Sequence, residues 1–354
     1  MSSKAKTIRN TIITILILVL GFYLLQALFV PKYVSDVVEG NLIREYYEEE
    51  DKNFDVVFVG DCEVYENFSP VELWKDYGIN SYIRGSAEQY IFQSYYLLED
   101  TLRYHTPKVV VFNIQSLQFE KAQNEAYNRM TLDDMEWSMA KVNSIKASMT
   151  EDEKFIDYVF PLFRYHSRWS ELKSEDFEYM FKRNSISHNG YYMRVDAKAA
   201  ENVPKGRMLG DYSFSDRAWS YLDKMRELCA EKGIQLVMIK APSLYPYWYP
   251  EWDEQLVEYS KKYDIPYYNL IDKADEIGLD YRVDTYDSGL HLNLTGAEKL
   301  SKYFGEILSK EYKVPDRRDD KSLAAIWDKN ILAYEAEIME QCKKYSVDPK
   351  NLGR

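Results

Sequence analysis

Residues 11–30 (TIITILILVLGFYLLQALFV) run without a single charge. As a helix rising about 1.5 Å per residue, such a run covers the roughly 30 Å hydrocarbon core of a bilayer. The rest of the chain must then fold beside a membrane or be cut away from it. A cleaved signal peptide has an apolar stretch of about 7–15 residues that ends in small residues. Here the run is longer, and Gln26-Ala27-Leu28-Phe29-Val30-Pro31 offers no Ala-x-Ala pattern. An uncleaved transmembrane helix is therefore expected. Lys4, Lys6 and Arg9 precede it, which places residues 1–10 in the cytoplasm and everything after the helix outside, in a single-pass topology.

The 354 residues, 46% of them hydrophobic, suffice for one α/β domain with an insertion and appendages. A net charge of −13 and the absence of a basic stripe beyond the N-terminus exclude nucleic acid as a partner, since binding a polyanion needs a basic face. The three cysteines, Cys62, Cys229 and Cys342, are too few and too scattered for a disulfide framework or a metal cluster. A single Cys229–Cys342 bridge on an oxidised surface is the lesser alternative to two separate thiols.

After a polar, acidic stem at 31–53, short apolar runs alternate with amphipathic stretches, the pattern of βαβ units and a parallel sheet. Strands are predicted at 55–59, 80–83, 108–114, 234–239 and 266–270. Ser69-Pro70-Val71-Glu72 reads as a capping box with Pro at the first helical position, closed by Gly78. Another helix is predicted from Ser86 to about residue 104, and further ones at 216–231, 252–263 and 295–310. Residues 116–210 break the rhythm, with helical periodicity at 155–172 and 177–183. They are read as a helical insertion walling one side of a site within a domain spanning 54–310. Residues 311–354 form a charged helical tail on the outside.

Two motifs can carry chemistry. Gly60-Asp61-Cys62 follows the first strand directly, and in an open parallel sheet ligands bind beyond the carboxyl ends of the strands. The loop Asp287-Ser288-Gly289-Leu290-His291 precedes the last helix and holds one of only four histidines, beside acidic residues that can orient it. A buried structural thiol and a solvent-facing loop histidine are the bland alternatives. The pair, in the order nucleophile, acid, base, is more specific than either half. Arg164, His166 and Arg168 share an aromatic segment and could bind an anionic polymer, although surface ion pairs explain them about as well. The aromatic loop at 245–252, with Trp248, reads as a lid or sugar platform, with simple packing as the alternative.

On these motifs the chain resembles the SGNH (GDSL-like) hydrolases. Their first block, Gly-Asp-Ser after strand one, is similar to Gly60-Asp61-Cys62, and their last, Asp-x-x-His before the final helix, to Asp287…His291. The resemblance covers residues 54–115 and 211–310. It is nearest to the membrane-anchored members of Gram-positive bacteria that accompany a membrane-bound O-acyltransferase or teichoic-acid D-alanylation machinery. It implies a flavodoxin-like three-layer α/β/α sandwich and a Cys62–His291–Asp287 triad. It also implies an oxyanion hole from the Cys62 N–H, Gly85 and Asn113, with no metal or organic cofactor. The implied function is acyl-ester hydrolysis or O-acyl transfer on a cell-envelope polysaccharide or teichoic acid.

Three departures qualify it. Cys stands for Ser, the Asp–His spacing is one residue longer, which admits Asp284 as the orienting acid, and the block at Asn113 lacks its Gly. A catalytically silent module that binds a glycan or scaffolds a membrane acyltransferase is the alternative function.

Overall fold

The protein is described here from a computed structural model covering residues 3–35, 37–122 and 124–352. Helix α1 (Ser3–Phe29) contains the charge-free run and has no buried residue. It is long and apolar enough to cross a membrane. A short helix α2 (Leu42–Glu48) in the stem leads into strand β1 (Val56–Gly60), the four-residue turn α3 (Cys62–Tyr65), α4 (Pro70–Tyr77) and β2 (Ser81–Gly85). Helix α5 (Ile91–Thr101) and β3 (Val109–Asn113) follow.

Five short helices fill the insertion: α6 (Glu125–Leu132), α7 (Met139–Ser148), α8 (Phe155–Val159), α9 (Leu162–Tyr165) and α10 (Ser174–Glu178). The α/β rhythm resumes with α11 (Asp216–Lys232), β4 (Gln235–Lys240), α12 (Pro250–Tyr263), β5 (Tyr267–Asn269) and α13 (Ala274–Ile277). The long helices α14 (Leu294–Lys310) and α15 (Lys321–Tyr345) close the chain.

All five strands are parallel, in the order β2-β1-β3-β4-β5. β1, β2 and β3 are buried along their whole length because helices cover both faces, which is why their sequences run apolar without alternation. Phe58, Val111 and Ile239 point into one layer with Trp74 of α4, Phe304 of α14 and Trp327 of α15. Val59, Phe112 and Met238 point into the other with Phe92 of α5, Leu222 of α11 and Leu256 of α12. From β1 the chain moves outward to β2 and then returns to β3 on the other side. The carboxyl ends of β1 and β3 therefore flank a switch point, where such sheets open a crevice.

Several local expectations change in detail. Ser69 caps α4 by accepting from the Glu72 N–H at 3.3 Å, but Glu72 turns to Lys75 at 3.0 Å, so only half of the capping box forms. Residues 86–90 form a turn, with Glu88 at a positive φ of 48°, and the next helix starts only at Ile91. The C-terminal tail is more than an outer appendage. Trp327 stacks on Trp74 at 5.1 Å and donates to Asn80 at 3.1 Å, and Tyr334 and Ile338 are buried beside them. Cys229 and Cys342 lie in opposite hydrophobic layers and form no bridge.

Candidate active site

Gly60 ends β1 because any side chain there would press on Val64 at 2.5 Å and Asn113 at 3.0 Å. The chain then folds tightly into α3. Asp61 caps the turn by accepting from the Glu63 N–H at 3.2 Å, and Cys62 occupies its first position, half-buried at the carboxyl edge of the sheet. At that position its backbone N–H has no partner within the helix.

The His291 loop meets this turn from the other side. Ser288 and Gly289 take positive φ values of 71° and 102°, so the chain turns tightly between Asp287 and His291. Asp287 Oδ1 accepts the N–H of Leu290 at 3.2 Å and of His291 at 2.9 Å, which leaves Oδ2 on His291 Nδ1 at 2.7 Å. Asn67 fixes the loop further by accepting from the Leu292 N–H at 2.8 Å. Asp284 is engaged elsewhere: it accepts from Lys299 at 2.7 Å, Thr295 at 2.8 Å and the Asp280 N–H at 2.7 Å. The orienting acid is therefore Asp287 by geometry.

His291 Nε2 is buried and makes no regular hydrogen bond. Cys62 lies against this side of the ring, and thiolate and imidazolium favour one another there. Burial opposes both charges. For the thiol, burial dominates, with Asp61 and Glu66 adding to it against the pull of His291, and Cys62 is pushed up to about 11. For the imidazole, burial is outweighed by Cys62, Glu66 and Asp287, and His291 is held well above its ordinary value. The two shifts are linked, since the largest charge raising His291 is the Cys62 thiolate and the largest lowering Cys62 is the His291 imidazolium.

Glu66 and Tyr286 were not singled out from sequence. Glu66 Oε2 lies 3.7 Å from His291 Nδ1 and accepts a hydrogen bond from Tyr286, whose ring lies parallel to the imidazole at 6.0 Å. Burial raises Glu66 to about 7. Arg194 covers the far face of Tyr286 at 4.3 Å while paired with Asp196. The only hint in sequence is that Glu66 stands four residues after Cys62, one helical turn along.

A second cluster missed from sequence lies behind Cys62. Lys240, at the end of β4 and fully buried, donates to Glu63 at 2.7 and 2.8 Å, to the Ala241 carbonyl at 2.8 Å and to Ser243 at 2.9 Å. An ionisable residue closing an apolar strand was the available signal. Asn113 belongs to this cluster. Its amide donates to Asp61 and Glu63, both at 3.1 Å, and its carbonyl accepts the Ala241 N–H at 3.1 Å. With both donors engaged by carboxylates, Asn113 positions the turn and does not serve as an oxyanion donor. Gly85 pairs with Gly60 at the strand ends and lets Tyr65 approach, since a Cβ there would stand 3.1 Å from Tyr65.

The remaining candidates lie elsewhere. Arg164 pairs with Glu125 at 2.7 Å, and Arg168 with Asp176 at 3.1 Å and the Phe29 carbonyl. The His166 ring is bonded to the Phe163 carbonyl at 2.8 Å. Glu125 of α6, Asp176, the Phe163 carbonyl and the end of α1 take up these groups, so they form no anion site at the crevice. Trp248 is wedged between Trp252 and Phe214, with its ring 5.7 Å from Lys240. It is packing and offers no open face to a sugar.

The extended segment after the insertion helices packs against the site. There Tyr192 bonds the Tyr65 carbonyl at 2.8 Å, the Arg194 carbonyl accepts the Leu294 N–H at 2.6 Å, and Lys198 reaches Thr285 at 2.8 Å. Among the described residues, no group of three or more His, Cys, Asp or Glu is arranged to hold a metal ion.

Fold and site together define an α/β protein with one membrane-length helix and a Cys–His–Asp constellation at the switch point of a parallel sheet. The chain matches no known family model, and no curated protein matches it.

Proposed function

We propose that this protein is a membrane-anchored, extracytoplasmic acyl-transfer enzyme of the SGNH type, with Cys62 as nucleophile, His291 as base and Asp287 as its orienting acid. The strand order is that of flavodoxin-like doubly wound sheets. One observation carries the reading. The turn after β1 and the loop before α14 bring the Cys62 thiol within hydrogen-bonding reach of the His291 ring, whose Nδ1 sits 2.7 Å from Asp287. In the acylation step, His291 takes the thiol proton as sulfur attacks the acyl carbonyl. The alcohol of the donor leaves with that proton, and a thioester remains on Cys62. An acceptor hydroxyl or water then takes the acyl group by the reverse sequence. The Cys62 N–H is the oxyanion donor that the geometry supports.

Lys4, Lys6 and Arg9, in the first turns of α1 ahead of its charge-free run, support an extracytoplasmic domain. Proximity to the membrane supports an envelope substrate, a polysaccharide or teichoic acid. Glu39 follows the end of α1 by ten residues, at most about 35 Å of chain, and its charge reaches Tyr65 and Glu66 beside the nucleophile.

The second reading is a silent SGNH-like module that binds a glycan or scaffolds an acyltransferase. It is favoured by the fully engaged Asn113 amide and by the protonated thiol. Intact-mass analysis of the full chain in detergent with an activated acyl thioester separates the two. The enzyme reading requires an adduct that maps to Cys62, is lost on adding acceptor, and is absent in Cys62→Ala. An unmodified wild-type chain leaves the silent module.

A further inference from the structure

The end of α1 does not project freely from the domain. Phe160 and Phe163 meet Phe22 with ring centroids at 5.7 and 6.5 Å, and Phe181 stacks on Tyr23 at 6.4 Å. The last carbonyls of the helix are satisfied by protein cations. Lys32 takes those of Ala27 at 2.7 Å and Leu28 at 3.1 Å, and Arg168 takes that of Phe29. The segment 155–183 is thus built onto the final two turns of α1.

This segment is two-faced. Tyr158, Tyr165 and Asp176 are buried against the domain. Ile156, Phe163, Trp169, Phe177 and Phe181 are bare, from 45% exposed at Ile156 to 72% at Trp169. Clustered exposed aromatics of this kind mark a contact surface. Depth identifies what covers it. Phe22 lies seven residues before the helix end at Phe29, about 10 Å lower at 1.5 Å per residue. Rings touching Phe22 and Tyr23 lie at the same level, and in a chain whose α1 spans a bilayer that level is lipid. In-plane amphipathic elements sink about 5–10 Å into the boundary between head groups and acyl chains, and aromatic residues favour that zone.

We propose that residues 155–183 form a monotopic collar whose exposed aromatic face is embedded in the lipid leaflet at the carboxyl end of α1. The domain is then held on the bilayer by two elements, which fixes its tilt as well as its distance. The proposal rests on α1 crossing the membrane, so the test probes both. The full chain is reconstituted in phosphatidylcholine vesicles with or without bromine on the acyl chains near the head groups, and the Trp169 emission is obtained as the difference between wild type and Trp169→Phe. The collar predicts roughly two-fold lower Trp169 emission in brominated vesicles, as expected for a ring in the boundary zone. Leu16→Trp, in the middle of α1, serves as the reference, read with bromine near the chain ends. A quenched Leu16→Trp with an unquenched Trp169 overturns the collar, leaves the anchor standing and hands the patch to a protein partner. If neither is quenched, both readings fall.

Discussion

Alkylation of Cys62 tests the electrostatics of the site without any knowledge of the substrate. Burial, Asp61 and Glu66 together push the thiol up to about 11, against an ordinary value of about 8.5. At pH 7 the thiolate share is then roughly 10⁻⁴, about 300-fold below that of a free peptide thiol. A more basic thiolate is the better nucleophile, and with a Brønsted slope of about 0.4–0.5 the gain is about ten-fold. The net expectation is reaction with iodoacetamide about 30-fold slower than the peptide at pH 7, before any hindrance from partial burial. Because hindrance changes the rate but not its pH dependence, the slope is diagnostic: one log unit per pH unit from 7 to 9, without a plateau.

Two variants shift the rate in opposite directions. His291→Ala slows alkylation, since the imidazolium stabilises the thiolate. Asp61→Asn speeds it, since a like charge is removed while the capping oxygen stays. Peptide mapping by mass spectrometry follows Cys62 apart from the buried Cys229 and Cys342. A plateau below pH 8, or a neutral-pH rate above that of the free peptide, would refute the reasoning and indicate a preformed thiolate–imidazolium pair.

The pH profile of turnover should rise above pH 7 rather than level off near the ordinary imidazole value of about 6.5, because His291 is held well above it and acts as base only after losing its proton. Levelling at pH 7 counts against this. Asp287→Asn should lower turnover by about 10²–10⁴-fold, whereas Asp284→Asn should leave it within a few-fold and lower thermal stability instead. Asp61, Glu66 and Glu45 are each raised to about 7, chiefly by burial. The native chain therefore holds protons that the unfolded chain releases near pH 4, and this stability is lost as pH rises through about 7. Calorimetry should show a higher Tm at pH 5 than at pH 8, each group contributing up to about 1.4 kcal/mol per pH unit in that window. Trp327→Ala should cost about 3–5 kcal/mol in a denaturant titration, since it empties a fully buried site and orphans Asn80.

The strands and the two ends of the constellation were legible because their signals are local. An apolar run followed by Gly60-Asp61-Cys62 announces a strand exit, and a histidine among acidic residues before an amphipathic helix announces a loop base. What surrounds them was not legible, because it depends on pairings far apart in the chain. Tyr286 meets Glu66 across 220 residues and Lys240 meets Glu63 across 177. The resemblance implied Asn113 as an oxyanion donor, and a motif match carries a position at the strand end but not the partners that occupy its amide. The arginines of the insertion failed for a related reason: a cation's nearest acid, here Glu125 or Asp176, decides whether it is available. Trp248 was left open between platform and packing because aromatic composition does not distinguish a packed ring from an open one.

The stacking of Trp327 on Trp74 has a bearing on how the chain is made. The outer side of α4 stays uncovered until residues 321–345 arrive, although α4 itself ends at Tyr77. At about 5–20 residues per second, that interval is on the order of 15–50 s. Throughout it, Trp74 waits without its stacking partner, so the nascent chain depends on outside protection for longer than a domain closed by its own early helices. A premature stop anywhere before α15 should therefore yield not a shortened but competent domain, but a chain that never completes its core.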